Sequence, residues 1–426
     1  MMTARAERDR GPGGRAPGRG RRRAALRPVL AAVLTVIALL VALAEAPTAG
    51  AASPGDAWIA ELAVVGGDDT NVVATAGAVR LAGDIVRAQS ARSPLAEGEL
   101  LLAPRHTPTP VDRVSADVTA EVPPGAQVLV DVRGLRADRT WSQWEPASPG
   151  GPAALPEATT SVQVRATLVA GDHGAGPALQ RLWLAADRTR AGPAPLATPA
   201  VGSRVFATRE GLVGGTTANG HVIVARDHFV ALPSRRGLSP RNTGDYSVKV
   251  CAPTGRCAWS PVWDVGPWNT KDDYWNPAAT RQSWKDLPLG MPEAQAANQQ
   301  HYNGGKDGYG RTVANPAGID LADGTFYDDL GLRDNAWVQV TYLWTGTGPS
   351  ALAKPTGAPT LVVRSAPSDA SSAVGAVAAG ARVAVECSAV GQVRSGAQGT
   401  SSSWLSIGPN QYVPAAGVEA PRVASC

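Results

Sequence analysis

Short apolar runs, each closed by glycine or proline, recur along this chain from Trp58 onward. Val128-Leu129-Val130-Asp131-Val132-Arg133, Ser161-Val162-Gln163-Val164-Arg165-Ala166 and Gln180-Arg181-Leu182-Trp183-Leu184 alternate apolar and polar residues. A period of two gives each segment one face for a core and one for water, which is a strand rather than a helix. With 47 Gly and 35 Pro spread through 426 residues, turns are plentiful and long helices are interrupted. A chain of this length accommodates about two to four separate cores. The expectation is a mostly β protein of several domains, with a β-sandwich over residues 53–190.

The first 51 residues read as a signal peptide. Nine arginines precede an apolar run from Val29 to Ala44, and Ala49-Gly50-Ala51 then supplies the small residues of a cleavage site. The run is short for a membrane span, which needs about 20 residues, so no stable membrane anchor is expected after cleavage. The whole chain carries a formal charge of +4. Residues 1–51 hold nine Arg against Glu7, Asp9 and Glu45, so the remainder has a net charge of −2. The basic balance therefore belongs to the leader, and no nucleic-acid surface is expected.

Four cysteines, Cys251, Cys257, Cys387 and Cys426, in an exported chain read as disulfides. Cys251 and Cys257 bracket the turn Pro253-Thr254-Gly255, which pairs them across a hairpin and leaves Cys387 for Cys426. Their spacing is not that of a zinc site, and neither a metal nor another cofactor is expected.

Pro/Ala-rich stretches at 191–200 and 346–359 read as linkers. They isolate a block rich in Trp and Asp, 201–345, and a last segment, 360–426. In the last segment Thr360-Leu361-Val362-Val363-Arg364-Ser365-Ala366-Pro367, Gly380-Ala381-Arg382-Val383, Trp404-Leu405-Ser406-Ile407 and Gln411-Tyr412-Val413 follow in order. This resembles the bacterial SH3-type domain, a small β-barrel appended to cell-wall enzymes. Residues 53–190 resemble, in outline, β-sandwich accessory domains of secreted actinobacterial proteins.

Within the central block, Thr217-Ala218-Asn219-Gly220, Leu232-Pro233, Asp264-Val265-Gly266-Pro267, Asp320-Leu321-Ala322 and Val338-Gln339-Val340 occur in sequence. The order resembles the double-psi β-barrel of rare lipoprotein A, the expansins and barwin-like proteins. The resemblance implies a six-stranded barrel with a long insertion at 270–316. It places the essential acid of the lipoprotein branch on Asp264, its accompanying histidine on His228, and the acid required by expansins on Asp320. His228 stands one residue further from Leu-Pro than that pattern has it.

Two acids beside indoles suit a sugar polymer. Stacking rings would come from Trp263, Trp268, Tyr274 and Trp275, and polar contacts from Thr217 and Asn219. Cleavage of a glycosidic bond needs a proton donor and a group that meets the oxocarbenium ion. A lytic transglycosylase manages with one carboxyl, here Asp264, with Trp268 beyond the turn as its apolar wall. Other roles compete with these: Asp264 capping its turn, Asp320 capping a helix start, His228 structural or solvated, and Asp272-Asp273 an exposed loop pair. The sequence leads to a secreted, wall-associated protein that binds peptidoglycan or another wall polysaccharide, with catalysis left open. The alternatives are a lytic transglycosylase and a non-catalytic, inhibitor-like interaction protein.

Overall fold

The computed structural model describes residues 55–83, 95–171, 173–189 and 198–426. The expected signal peptide and most of the 191–200 linker lie outside the described residues. Among those described, no helix is long and apolar enough to cross a membrane.

The centre of the molecule is a closed barrel of six strands: β1 (Val201–Arg209), β2 (Val230–Leu232), β3 (Ser247–Cys251), β4 (Cys257–Val265), β5 (Ala317–Leu321) and β6 (Ala336–Tyr342). The order around the wall is β2-β5-β1-β6-β3-β4, and β4 returns to pair with β2. The β1–β5 and β2–β4 pairs are parallel and the others antiparallel. The sequence dictates which side of each strand is inside. Val205 and Ala207 of β1, Val248 and Val250 of β3, and Val338, Val340 and Tyr342 of β6 are buried in one cluster. Their odd-numbered or even-numbered alternates point away from it, as the pleat requires. The mostly β architecture with a six-stranded barrel is thus as expected.

The N-terminal region forms a nine-stranded sheet among the described residues. Two strands of 17 residues each, Arg105–Glu121 and Ala153–Val169, carry it from one pairing to the next through register shifts. Such irregularities bend a strand and let it serve two packing layers, and two apolar clusters result.

This sheet is anchored in the barrel. Trp144 is fully buried within the barrel's own core cluster, and its indole N–H donates to Leu238 O at 3.2 Å. The partner surface is the short turn Arg235–Gly237. Arg236 pairs with Glu145 of the sheet and, at 2.6 Å, with Asp273; Arg235 pairs with Glu97. Trp144 and Trp141 divide as a core and an edge indole, with the Arg133 guanidinium 4.5 and 4.4 Å from their ring centres.

The C-terminal region is joined to the barrel by backbone. β4 pairs in parallel with Ala373–Ala378, Cys257 against Gly375 and Trp259 against Val377. Ser350–Ala353, inside the stretch expected as a linker, is a strand between Arg382–Ala384 and Val418–Glu419. Ala351 and Ala353 are small, apolar and fully buried in the C-terminal core, which is why this Ala-rich segment is ordered there. The disulfides are Cys251–Cys257 and Cys387–Cys426.

Candidate functional site

The barrel register sets the two singled-out acids in one row. Asp264 of β4 and Asp320 of β5 both pair with Ala231 of β2, from opposite sides. Thr208 of β1 extends the row beyond Asp320. Partners across adjacent strands share a face, and Ala231 between the acids has only a methyl group.

Their environments differ. Asp264 is fully buried, and its Oδ1 accepts the Ala218 N–H at 2.7 Å. Beside it the Trp263 carbonyl accepts the Asn219 N–H at 3.2 Å. The Thr217 hydroxyl donates to Asn219 Oδ1 at 2.8 Å, and Asn219 Nδ2 to Ser239 O at 3.1 Å. Asp264, Thr217 and Asn219 therefore hold the 217–221 loop against the barrel. Gly220 belongs to the same fit: its φ is +88°, and a Cβ there would stand 2.4 Å from Thr70 Oγ1 of the N-terminal sheet. Thr217 and Asn219, expected to meet ligand, are buried by these bonds and face no solvent.

Asp320 retains 7% exposure, accepts from the Thr208 hydroxyl, and borders a pocket of about 380 Å³. Glu210, Trp268, Arg311 and Asn315 line the same pocket. Trp268 is partly exposed there, and it packs on Ala294, Ala297 and Val313. Its indole N–H donates to Asn315 Oδ1 at 3.1 Å, and its carbonyl accepts from Arg311 Nη2 at 2.5 Å. Its backbone is left-handed, with φ of 63°. For a bulky residue that conformation is strained, and strain of this kind concentrates at functional positions.

The remaining expected residues lie elsewhere. Tyr274 and Trp275 are buried in the barrel cluster, where Trp275 stacks on Tyr342 at 5.3 Å; they are core rings and offer no face to a ligand. Trp263 packs between His221 and Phe229 and donates to Thr243 O at 2.8 Å, outside the Asp320 pocket. His228 Nδ1 lies 2.8 Å from Asp329 Oδ2, and neither residue lines that pocket. Burial pushes the Asp329 carboxyl up, against the opposing hydrogen bond from His228.

Asp272 and Asp273 correct an expectation. Both are fully buried rather than exposed. Asp272 accepts from Arg281 Nη2 at 2.5 Å and from the Glu293 N–H at 2.6 Å, while Asp273 pairs with Arg236. The Asp272 bonds close the 270–316 insertion on itself, the Asp273–Arg236 pair ties it to the rest of the molecule, and its helix α1 (Glu293–Gln300) backs Trp268. The insertion thus builds one wall of the pocket.

Glu210 and Arg311 escaped the sequence reading. Glu210 follows β1 without any motif, and it joins the lining of the Asp320 pocket only because β1 and β5 are parallel neighbours. Arg311 follows a Gly-Tyr-Gly stretch that carries no charge pattern of its own.

Residues 201–341 match a family described as Domain of unknown function (DUF8814), a span running from the first barrel strand into the last. No curated protein matches the chain.

Proposed function

We propose that this is an exported protein that binds a wall polysaccharide, peptidoglycan foremost, in the pocket beside Asp320. The observation that carries the reading is the meeting of Asp320, Asn315 and the partly exposed Trp268 ring around one cavity. A sugar ring is amphipathic: its axial C–H face stacks on an indole while its hydroxyls seek carboxylates and amides. Asp320 and Asn315 would accept and donate to those hydroxyls. The resemblance to expansins, which places their required acid on Asp320, agrees with this. The disulfides suit an oxidising compartment, and the C-terminal module would add contacts to the wall.

Strand cleavage is the second reading, favoured by two acidic residues, Asp320 and Glu210, in the lining of one pocket, where the Glu210 carboxylate oxygens are covered and would have to turn out to meet a sugar. One would protonate the leaving oxygen and the other would face the oxocarbenium ion. Asp264 does not fit the acid's role, because its buried carboxylate is spent on the 217–221 loop.

The deciding experiment is co-sedimentation of the purified protein with peptidoglycan sacculi, with mass analysis of the supernatant. Retention that falls in Asp320→Ala and Trp268→Ala supports binding at this pocket. Muropeptides released by the wild type and lost in Asp320→Ala make it an enzyme. Retention equal in all three proteins removes the proposed site.

A further inference from the structure

A second cavity, of about 250 Å³, lies between the N-terminal sheet and the 270–316 insertion. Gln127 and Leu129 come from the sheet, and Asn269, Lys271, Trp284 and Tyr309 from the barrel side. It combines apolar walls and two aromatic rings with convergent polar groups, which is the make-up of a small-molecule site. Trp284 is again a bulky residue in left-handed backbone, with φ of 49°. Trp268 and Trp284 are thus both held in a strained backbone conformation, and each lines one of the two cavities. Gly308 belongs to the same arrangement: a Cβ there would come within 3.2 Å of the Trp284 ring and 2.9 Å of Asn269 Oδ1. Only glycine lets the chain pass this close to the indole.

The two cavities are joined through one side chain. The Arg311 guanidinium lies 5.8 Å from the Trp268 ring centre and 5.1 Å from that of Tyr309. Arg311 is itself anchored, through Nε to Asp307 Oδ2 at 2.6 Å and through Nη2 to Trp268 O. The Tyr309 hydroxyl lies 2.8 Å from Thr270 Oγ1, which sets its ring at the mouth of the second cavity. Trp268 and Arg311 thus line the first cavity, Tyr309 and Trp284 the second, and the Arg311–Tyr309 contact lies between them.

We infer that the second cavity is a further subsite for the same glycan strand, so that the ligand is an extended oligosaccharide reaching from Asp320 to the N-terminal sheet. This rests on the proposed function and adds the length of the ligand and a role for the N-terminal region. Lys271 and Gln127 would hydrogen-bond ring substituents, and Trp284 and Tyr309 would carry the apolar sugar face.

The test compares N-acetylglucosamine dimer and hexamer by calorimetry with the purified wild type, Trp268→Ala, Trp284→Ala and Tyr309→Ala. The hexamer is expected to bind about tenfold or more tighter than the dimer, a gain on the scale of one or two stacked rings. Trp284→Ala and Tyr309→Ala should return the hexamer to dimer affinity and leave the dimer unchanged, while Trp268→Ala weakens both. Tyr309 is exposed, so its variant decides the matter even where Trp284→Ala fails to fold. Equal binding of dimer and hexamer, or hexamer binding unaffected by Tyr309→Ala, overturns the second subsite and leaves the first standing. Retention on sacculi without binding of either oligomer overturns the extended strand while leaving wall association. Failure to bind sacculi and both oligomers removes the proposed function and this inference together.

Discussion

Asp264 and Asp320 stand in register with the same residue, Ala231, on either side of one strand, yet only Asp320 borders a cavity. The closed barrel explains the difference. The 217–221 loop folds over the β4 end and takes Asp264 as a hydrogen-bond acceptor, whereas the β5 end faces the gap between β1 and the insertion. Equal positions in the sheet have thus become a structural acid and an accessible one.

The first prediction separates them. Asp264→Ala removes a buried acceptor from the Ala218 N–H and should cost about 1–3 kcal/mol of stability. Asp320→Ala removes the acceptor of the Thr208 hydroxyl at the edge of a pocket that water can enter and should cost less than Asp264→Ala, while retention on sacculi falls. Urea unfolding and co-sedimentation of both variants check this. A stable Asp264→Ala protein that has lost binding would reverse the assignment.

Trp144 ties the N-terminal sheet to the barrel. Replacing it with Ala empties a fully buried site in the barrel cluster and should cost about 3–5 kcal/mol. The unfolding transition of the whole 52–426 unit should shift as one. A transition that splits, with the barrel unaffected, would show that the sheet is only loosely attached.

Arg236 sits between Glu145 of the sheet and Asp273 of the insertion, nearly fully buried. Arg236→Ala leaves the fully buried Asp273 and the partly exposed Glu145 without their cation. Breaking such an arrangement costs about 3–5 kcal/mol. A midpoint in urea within error of the wild type would sink this account of how the three parts are held.

The strand pattern, the barrel block and the hairpin disulfide were legible because each is local: alternation, turn residues and cysteine spacing act within a few positions. The site was legible in part. Asp320 and Trp268 came from motifs, but Glu210 joins them only through a parallel pairing between strands far apart in sequence. Tyr274 and Trp275 misled because an indole's role depends on which side of a fold it lands, and the insertion buries both against Tyr342. Asp272-Asp273 looked exposed because their partners, Arg281 and Arg236, cannot be assigned before the insertion is folded.

The buried acids of that insertion give a pH dependence. Burial raises the Glu293 carboxyl to about 7, against the opposing hydrogen bond from Asn269, with Asp272 and Asp307 adding like charge. Burial likewise raises Asp272 to about 6, despite Arg281. A carboxyl whose folded pKa exceeds its unfolded value binds protons more tightly when folded. Its contribution is present in full below the unfolded pKa of about 4.5 and is lost as pH rises through about 7 for Glu293. Glu293→Gln keeps an acceptor for Asn269 and removes the charge. The variant should therefore gain on the wild type as pH rises from 5 to 8, by on the order of 1–3 kcal/mol. Part of the wild-type slope should survive through Asp272. Urea midpoints of both proteins across that range measure the difference, and parallel curves would mean that Glu293 is charged and well solvated in the folded state.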